Sequence, residues 1–306
     1  MTNDAFSVAQ APDIGSESGA IPVVVGPTAS GKTKYAVDLA KKIGADIISA
    51  DSMQIYRHMD IGTAKATLTE RGGIPHHMID IVDPDERFSV AQYKKMAYEC
   101  IDGVLSRDRR VVVAGGTGLY ISALVNNIRY PGFAADPEYR ERLIKEAQTR
   151  GGEWLYAKLL ENDPDAAKRI HPNDQKRIVR ALEVYRATGK TMGEHERLSR
   201  IEPPKYNFCL IGLRVDRGEL YRRIDFRVDQ MLENGLLDEA RALYERYGKN
   251  GTASQAIGYK ELFAYFDGEQ PLCEAVRRIK TGTRRYAKRQ LTWFRAMREI
   301  NWIDPV

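Results

Sequence analysis

The sequence predicts an α/β fold: a P-loop-type parallel sheet core with helices on both faces and an all-helical insertion domain. Three observations lead there. Short, wholly apolar runs end in glycine, as strands buried on both faces do. Between these runs, apolar residues recur at helical spacing. One long stretch, residues 131–199, shows no convincing strand but several helix-opening signals.

Ile21-Pro22-Val23-Val24-Val25 closes on Gly26 and reads as a buried strand followed by a turn. From Lys32, the residues Ala36, Leu39, Ala40 and Ile43 keep helical spacing, and Gly44 ends the helix. Ile47-Ile48 reads as a second strand and residues 78–82 as a third. Val90, Tyr93, Ala97, Ile101 and Val104 mark one face of a helix, and Val111-Val112-Val113 is another buried strand running into Gly115-Gly116. This alternation calls for an open parallel sheet. In the insertion, Asp136-Pro137 and Asp163-Pro164 each join a cap to a proline at the first helical position. Asn173 or Asp174 opens a third helix, with Ile178, Leu182 and Tyr185 on one face. Pro203-Pro204 ends the linker and Phe208–Leu213 restores a strand. Asp216-x-x-Glu219 then reads as a capping box for a long helix with Leu220, Ile224, Val228 and Met231 inward. The expected organisation is a flexible tail at 1–20, a core formed by 21–130 and 200–306, and the helical insertion at 131–199.

With 306 residues and 43% hydrophobic content, the chain can bury one or two cores. No apolar run approaches the roughly 18 residues of a membrane span, and the N-terminus lacks the charged and apolar segments of a signal peptide. Cys100, Cys209 and Cys273 are far apart and odd in number, which fits a reducing, cytoplasmic setting. His76-His77 has no metal spacing and reads as structural. The net charge is +5, but its distribution says more: residues 277–298 hold nine Lys or Arg and no Asp or Glu. Such a field favours a polyanionic partner. There, Tyr286, Gln290 and Trp293 share one helical face and Arg277, Arg284, Lys288 and Arg295 a neighbouring one. The aromatics read as core and the cations as lining for RNA.

Gly26-Pro27-Thr28-Ala29-Ser30-Gly31-Lys32-Thr33 fits G-x-x-x-x-G-K-[ST]. Its backbone N–H groups can close around phosphate oxygens, and the following helix N-terminus adds partial positive charge. Lys32 can reach a terminal phosphate, and the Thr33 hydroxyl can bind Mg²⁺. A glycine turn with an incidental lysine is the plain alternative, but the strand before and the helix after favour a phosphate site. The motif leaves the phosphate compound open. An NTPase or kinase adds an acid at the end of a later strand, yet the Val111-Val112-Val113-Ala114 strand ends in Gly115-Gly116-Thr117, leaving only Asp80 and Asp83 as candidates.

Together with the phosphate loop, Asp51-Ser52-Met53-Gln54 with Tyr56, Gly115-Gly116-Thr117-Gly118-Leu119-Tyr120, His171-Pro172-Asn173-Asp174 with Arg177 and Arg180-Ala181-Leu182-Glu183, Gln255-Ala256-Ile257-Gly258-Tyr259-Lys260 and Lys288-Arg289-Gln290-Leu291-Thr292-Trp293 resemble the tRNA dimethylallyltransferase family. The resemblance runs from Pro22 to about Trp302. The N-terminal tail departs from it, and the C-terminal zinc-finger extension of some eukaryotic members is absent. The resemblance implies that the P-loop holds the diphosphate of dimethylallyl diphosphate as a leaving group, with Lys32 and Arg227 on its oxygens and Mg²⁺ at Thr33. It implies that Asp51 takes the acceptor proton and that Thr117 contacts the acceptor nucleotide or the transferred group. A helix cap is the bland alternative for Thr117, and a turn residue for Asp51. The acceptor it implies is the adenosine 3′-adjacent to the anticodon of a tRNA. Ser52, Met53 and Gln54 would read that base. Arg140, the helix start Gln175, Lys176, Arg177, Ile178 and Val179, and the segment Gln255, Ala256, Ile257, Gly258, Tyr259 and Lys260 would contact the tRNA. One chain supplies both sites, so a monomer is expected. An adenylate prenyltransferase with a free nucleotide acceptor, a P-loop NTPase or kinase, and a nucleotide-regulated RNA-binding protein remain as alternatives.

Overall fold

The computed structural model of the chain describes residues 19–130, 136–199, 201–249 and 251–304. The tail expected at 1–20 therefore lies outside the described residues except for its last two positions, as does the opening of the insertion at 131–135. The chain divides into two compact units, Met1–Val125 with Tyr206–Val306, and Asn126–Lys205.

The first unit contains, in chain order, β1 (Ile21–Val25), α1 (Lys32–Ile43), β2 (Ala45–Ser49), α2 (Leu68–Arg71), β3 (His76–His77), α3 (Val90–Leu105), β4 (Arg110–Gly115) and α4 (Gly118–Val125). The second unit supplies α5 (Pro137–Arg150), α6 (Gly152–Asn162), α7 (Pro164–Arg169), α8 (Gln175–Thr188) and α9 (Met192–Ser199). The first then resumes with β5 (Phe208–Leu213), α10 (Arg217–Glu233), α11 (Leu236–Tyr247), α12 (Tyr259–Phe266), α13 (Leu272–Arg295) and β6 (Asn301–Ile303). Among the described residues the strands form one sheet in the order β3-β2-β4-β1-β5-β6, and every neighbouring pair is parallel.

A parallel sheet needs cover on both faces. Val23 and Val25 pack with Tyr93, Ile101, Ile121 and Phe294 of α3, α4 and α13. Val24 and Ile47 face the other way and pack with Tyr35, Leu39 and Ala40 of α1. Val23, Val24 and Val25 are fully buried, each contributing about 2 kcal/mol of apolar burial. A separate core joins Ile55, Tyr56 and Met59 to Leu236, Leu243, Tyr259 and Leu262 of α11 and α12.

The strand expected at 78–82 does not form. Pairing with β2 stops at His77. Met78 and Asp80 take positive φ, 62° and 57°, and Val82 meets only Tyr56 in an isolated bridge. The buried ammonium of Lys65 fixes this irregular path. It donates to the Tyr56 carbonyl at 2.9 Å, to Asp60 at 2.6 Å and to Asp80 at 2.5 Å, so its charge is fully partnered. Asp216 does cap α10, accepting from the Glu219 N–H at 3.0 Å. Glu219 does not return the bond; its carboxylate turns to Arg222 and Arg223 instead.

In the second unit, Asp136, Asp163 and Asp174 cap α5, α7 and α8. Asp163 is fully buried; one oxygen accepts from Ala166 N–H at 2.9 Å and the other from Met192 N–H at 2.8 Å. Leu143, Leu155, Leu159, Ile178 and Leu182 fill this unit's core.

Candidate active site

β1 runs into a tight loop whose backbone is bent through the left-handed region at Ala29 (φ 62°) and Gly31 (φ 86°). Gly31 then opens α1, and no side chain caps that helix. Its first N–H groups and its partial positive charge are thus left for an anion. Thr28, Lys32 and Thr33 line a cavity of about 340 Å³, while Gly26 and Ser30 are buried behind the loop.

Lys32 and Arg227 open onto this cavity but are enclosed by protein elsewhere. Burial lowers the Lys32 pKa to about 8; Asp51 opposes that shift and Arg227 adds to it. Burial also lowers the Arg227 pKa, with Glu70 and Asp51 pulling the other way. Of the described residues on the cavity wall, Lys32, Arg227, Lys260 and Arg289 carry positive charge and Asp51 is the one carboxylate. Such a chamber is poised for a multiply charged anion, which would restore what the cations lost on leaving water. Arg223, one turn before Arg227, does not line the cavity and pairs with Glu219 at 2.7 Å.

Asp51 lies just beyond β2, at the carboxyl edge of the sheet where α/β folds bind ligands. Its Oδ1 accepts from Met53 N–H at 2.9 Å and from Gln54 N–H at 3.4 Å, which pins the carboxylate in a turn. Thr117 stands one step behind the wall rather than on it. Its hydroxyl accepts the Ser52 N–H at 2.9 Å and lies 3.3 Å from Ser52 Oγ, so it steadies the segment that carries Asp51. It does not cap α4; only its backbone carbonyl takes the N–H groups of Tyr120 and Ile121. Burial, followed by the nearby charge of Asp51, raises the phenol pKa of Tyr286 on the same wall, keeping it a neutral hydroxyl. The amide of Gln54 is occupied by protein: Nε2 donates to the carbonyls of Thr63 and Ala64 at 3.2 and 3.3 Å, and Oε1 accepts from Ser49 at 3.4 Å.

The glycines at the end of β4 and just beyond it each meet a different neighbour. A Cβ would lie 2.2 Å from the Ala50 carbonyl oxygen at Gly115, 2.3 Å from Gln290 Nε2 at Gly116, and 2.4 Å from the Trp293 ring at Gly118. The loop before Lys65 is held by Glu239 of α11, whose carboxylate accepts the consecutive N–H groups of Asp60, Ile61 and Gly62 at 2.8–2.9 Å. Glu239 also accepts the Tyr259 hydroxyl at 2.6 Å. Nothing local marked Glu239 in the sequence, because its partners are the backbone of a loop far away in the chain.

Ile224, Val228, Met231, Leu236, Ile257 and Ile279 form an apolar stretch of the remaining wall, which Ser49, Thr63, His76 and Thr283 interrupt. Gln255, Ala256, Ile257, Gly258 and Lys260 reach it as well. Tyr259 does not; it is buried with its hydroxyl on Glu239. In the second unit, Gln175, Lys176 and Arg177 are exposed at the start of α8. Ile178 and Val179 are buried, which commits their side chains to that unit's core and corrects their expected place on an RNA-facing surface. Arg140 is engaged by the buried Glu183 through two bonds of 2.8 Å. On α13, Arg277 and Arg278 pair with Glu274, Lys280 with Asp229 and Arg284 with Asp225. The helix's later cations, Arg285, Lys288, Arg289 and Arg295, are exposed. Trp293, expected in the core, is 41% exposed, with its indole N–H on Ser122.

Fold and site together define a P-loop α/β protein whose cavity brings Lys32, Arg227 and Asp51 together beside an apolar stretch of wall. The profile of the family described as IPP transferase matches residues 54–297. The tRNA dimethylallyltransferase of Acetivibrio thermocellus is 52% identical over 283 residues, covering 92% of this chain and 90% of the relative. That of Bacillus subtilis is 48% identical, covering 93% and 90%. Among solved structures, the full-length tRNA isopentenylpyrophosphate transferase of Bacillus halodurans aligns with a TM-score of 0.69 at 45% identity, over 94% of this chain and 90% of that one. A eukaryotic dimethylallyltransferase acting on tRNA aligns with a TM-score of 0.76 at 31% identity, over 94% and 74%. The chain belongs to the IPP transferase family.

Proposed function

We propose that this enzyme transfers a dimethylallyl group from dimethylallyl diphosphate to N6 of the adenosine 3′-adjacent to the anticodon in tRNAs, releasing diphosphate. The observation that carries the reading is the sharing of one cavity by Lys32, Arg227 and Asp51. The diphosphate sits on the P-loop amides between the two cations. The five-carbon chain lies against the apolar wall of Val228, Met231 and Ile257. N6 attacks C1 of the allyl group, the C1–O bond breaks with its electron pair leaving on the diphosphate, and Asp51 takes the N6 proton. Charge grows on the leaving oxygens as the bond breaks. Lys32 and Arg227 therefore bind the transition state more strongly than the substrate.

The Thr33 hydroxyl, a hard oxygen donor that faces the cavity, suits a hard cation such as Mg²⁺. Once bound, the ion would neutralise diphosphate charge, with Thr33 as its protein ligand. Among the described residues no group of three or more His, Cys, Asp or Glu is placed to hold a metal, so most of its ligands would come from diphosphate and water.

For the tRNA, the exposed cations of α13 in the first unit offer phosphate contacts, and Asp51, Ser52 and Met53 meet the extruded base; in the second unit, taken by itself, the exposed Gln175, Lys176 and Arg177 offer polar contacts of the same kind. Donor and acceptor residues come from one chain, which supports a monomer. Among the described residues no helix is long and apolar enough to cross a membrane. The three cysteines are free, which suits a reducing, cytoplasmic setting. Mass spectrometry of nucleosides from unmodified tRNA treated with the protein, dimethylallyl diphosphate and Mg²⁺ tests the proposal. Dimethylallyl adenosine is expected, and an unmodified nucleoside pool would reject it.

A further inference from the structure

Gln290 lies on α13, 262 residues from one loop it touches and 174 from the other. It is 5% exposed. Its Oε1 accepts the Thr28 N–H of the P-loop at 2.9 Å, and its Nε2 donates to the Gly116 carbonyl at 2.9 Å. Gly116 precedes Thr117, whose hydroxyl holds the Ser52 N–H beside Asp51. One side chain thus joins the loop that seats the diphosphate to the loop that supports the acceptor carboxylate.

We infer that Gln290 is a positioning residue that sets the spacing between the diphosphate seat and Asp51, and so the gap across which the prenyl carbon moves. The inference rests on the proposed reaction. Two features make this more than packing. The clamp needs one acceptor and one donor on adjacent atoms of a neutral group, which a glutamine amide supplies and an ionised glutamate does not. The loop is also built to admit it, since a Cβ at Gly116 would lie 2.3 Å from Nε2. The clamp has a further effect at the donor site. The Thr28 N–H is taken by Gln290, so the phosphate seat falls to the later loop amides and the opening of α1.

Single-turnover transfer to tRNA, dimethylallyl diphosphate affinity and thermal stability, each measured for Gln290→Leu, Gln290→Glu, Gly116→Ala and the double variant Gly116→Ala/Gln290→Ala, test this. Gln290→Leu removes both arms. Gln290→Glu keeps the acceptor for Thr28 and sets a second acceptor against the Gly116 carbonyl. Both are expected to lower the transfer rate about 10²-fold, the size of effect a misplacement of about 1 Å produces, with a much smaller change in diphosphate affinity. Gly116→Ala is expected to lose stability through its clash. The double variant is expected to regain stability without regaining rate. Wild-type rates in Gln290→Leu, or recovery of rate together with stability in the double variant, would overturn the inference. If the wild-type protein transfers nothing, the proposed reaction fails, and the clamp is still judged by hydrogen exchange at Thr28 N–H. That amide is expected to be protected in wild type and to exchange about tenfold faster or more in Gln290→Leu; equal exchange would reject the clamp.

Discussion

Two glycine-rich loops stand on neighbouring parallel strands, β1 and β4, and Gly31 of the first answers a different need from the glycines of the second, whereas Gly26 shares their steric need, since a Cβ there would lie 2.7 Å from Ser30 Oγ. Gly31 of the P-loop has φ 86°, and a Cβ there would meet nothing within 4 Å. Its requirement is conformational, and it shapes a seat for a ligand. Gly115, Gly116 and Gly118 have no positive φ, but a Cβ on any of them would strike Ala50, Gln290 or Trp293. Their requirement is steric, and it lets the protein close around its own acceptor segment. In the proposed reaction, one loop would face the leaving group and the other would support the group that receives the proton.

If the two sides divide the work this way, variants on each side should separate binding from transfer. The largest effect is expected at Asp51. Asp51→Asn keeps an oxygen for the Met53 N–H yet removes the base, so transfer should fall by about 10³-fold while dimethylallyl diphosphate affinity, measured by calorimetry, is retained. Equal loss of both would dissolve the division. Lys32→Met should lower transfer about 10²–10³-fold and weaken diphosphate binding as well, the opposite signature.

The glycines sharpen the same contrast through stability. Gly115→Ala drives a methyl group against the Ala50 carbonyl and should cost about 3 kcal/mol in denaturant unfolding. Gly31→Ala meets no atom and should cost only about 1 kcal/mol, the penalty of a left-handed conformation, while losing diphosphate affinity. The smallest effect is expected with pH. Lys32 is charged below about 8 and loses its proton above it, so affinity for dimethylallyl diphosphate should weaken as pH rises through that value. Lys32→Arg, whose charge persists, should flatten the profile.

The same contrast explains what could be read in the sequence. The P-loop was legible because strand, turn, Lys32 and helix are contiguous and each obeys a local rule. β1, β2, β4 and β5 were legible for the same reason, as short apolar runs bounded by turns. Asp51 was marked by the family resemblance, and the caps Asp136 and Asp163 by the prolines beside them. Residues 78–82 misled because their apolar content resembled a strand, while the buried Lys65 with Asp60 and Asp80 held the backbone elsewhere. Glu239 was silent, and Gln290 showed only as a member of a motif and a helical face, because their partners are backbone groups distant in sequence. Ile178 and Val179 were drawn toward an RNA contact by the motif around them, yet the helical period buries both. The resemblance named the prenyl group; the residues alone define a seat for a charged phosphate compound, an apolar wall and one carboxylate.

In the proposed reaction, the phosphates that the P-loop would hold belong to a leaving group. The most direct test counts products in one reaction holding the protein, Mg²⁺, tRNA, dimethylallyl diphosphate and ATP. The expected result is one diphosphate released for each prenylated adenosine, none when tRNA is left out, and no phosphate from ATP. Phosphate released from ATP without prenylated nucleoside would contradict it.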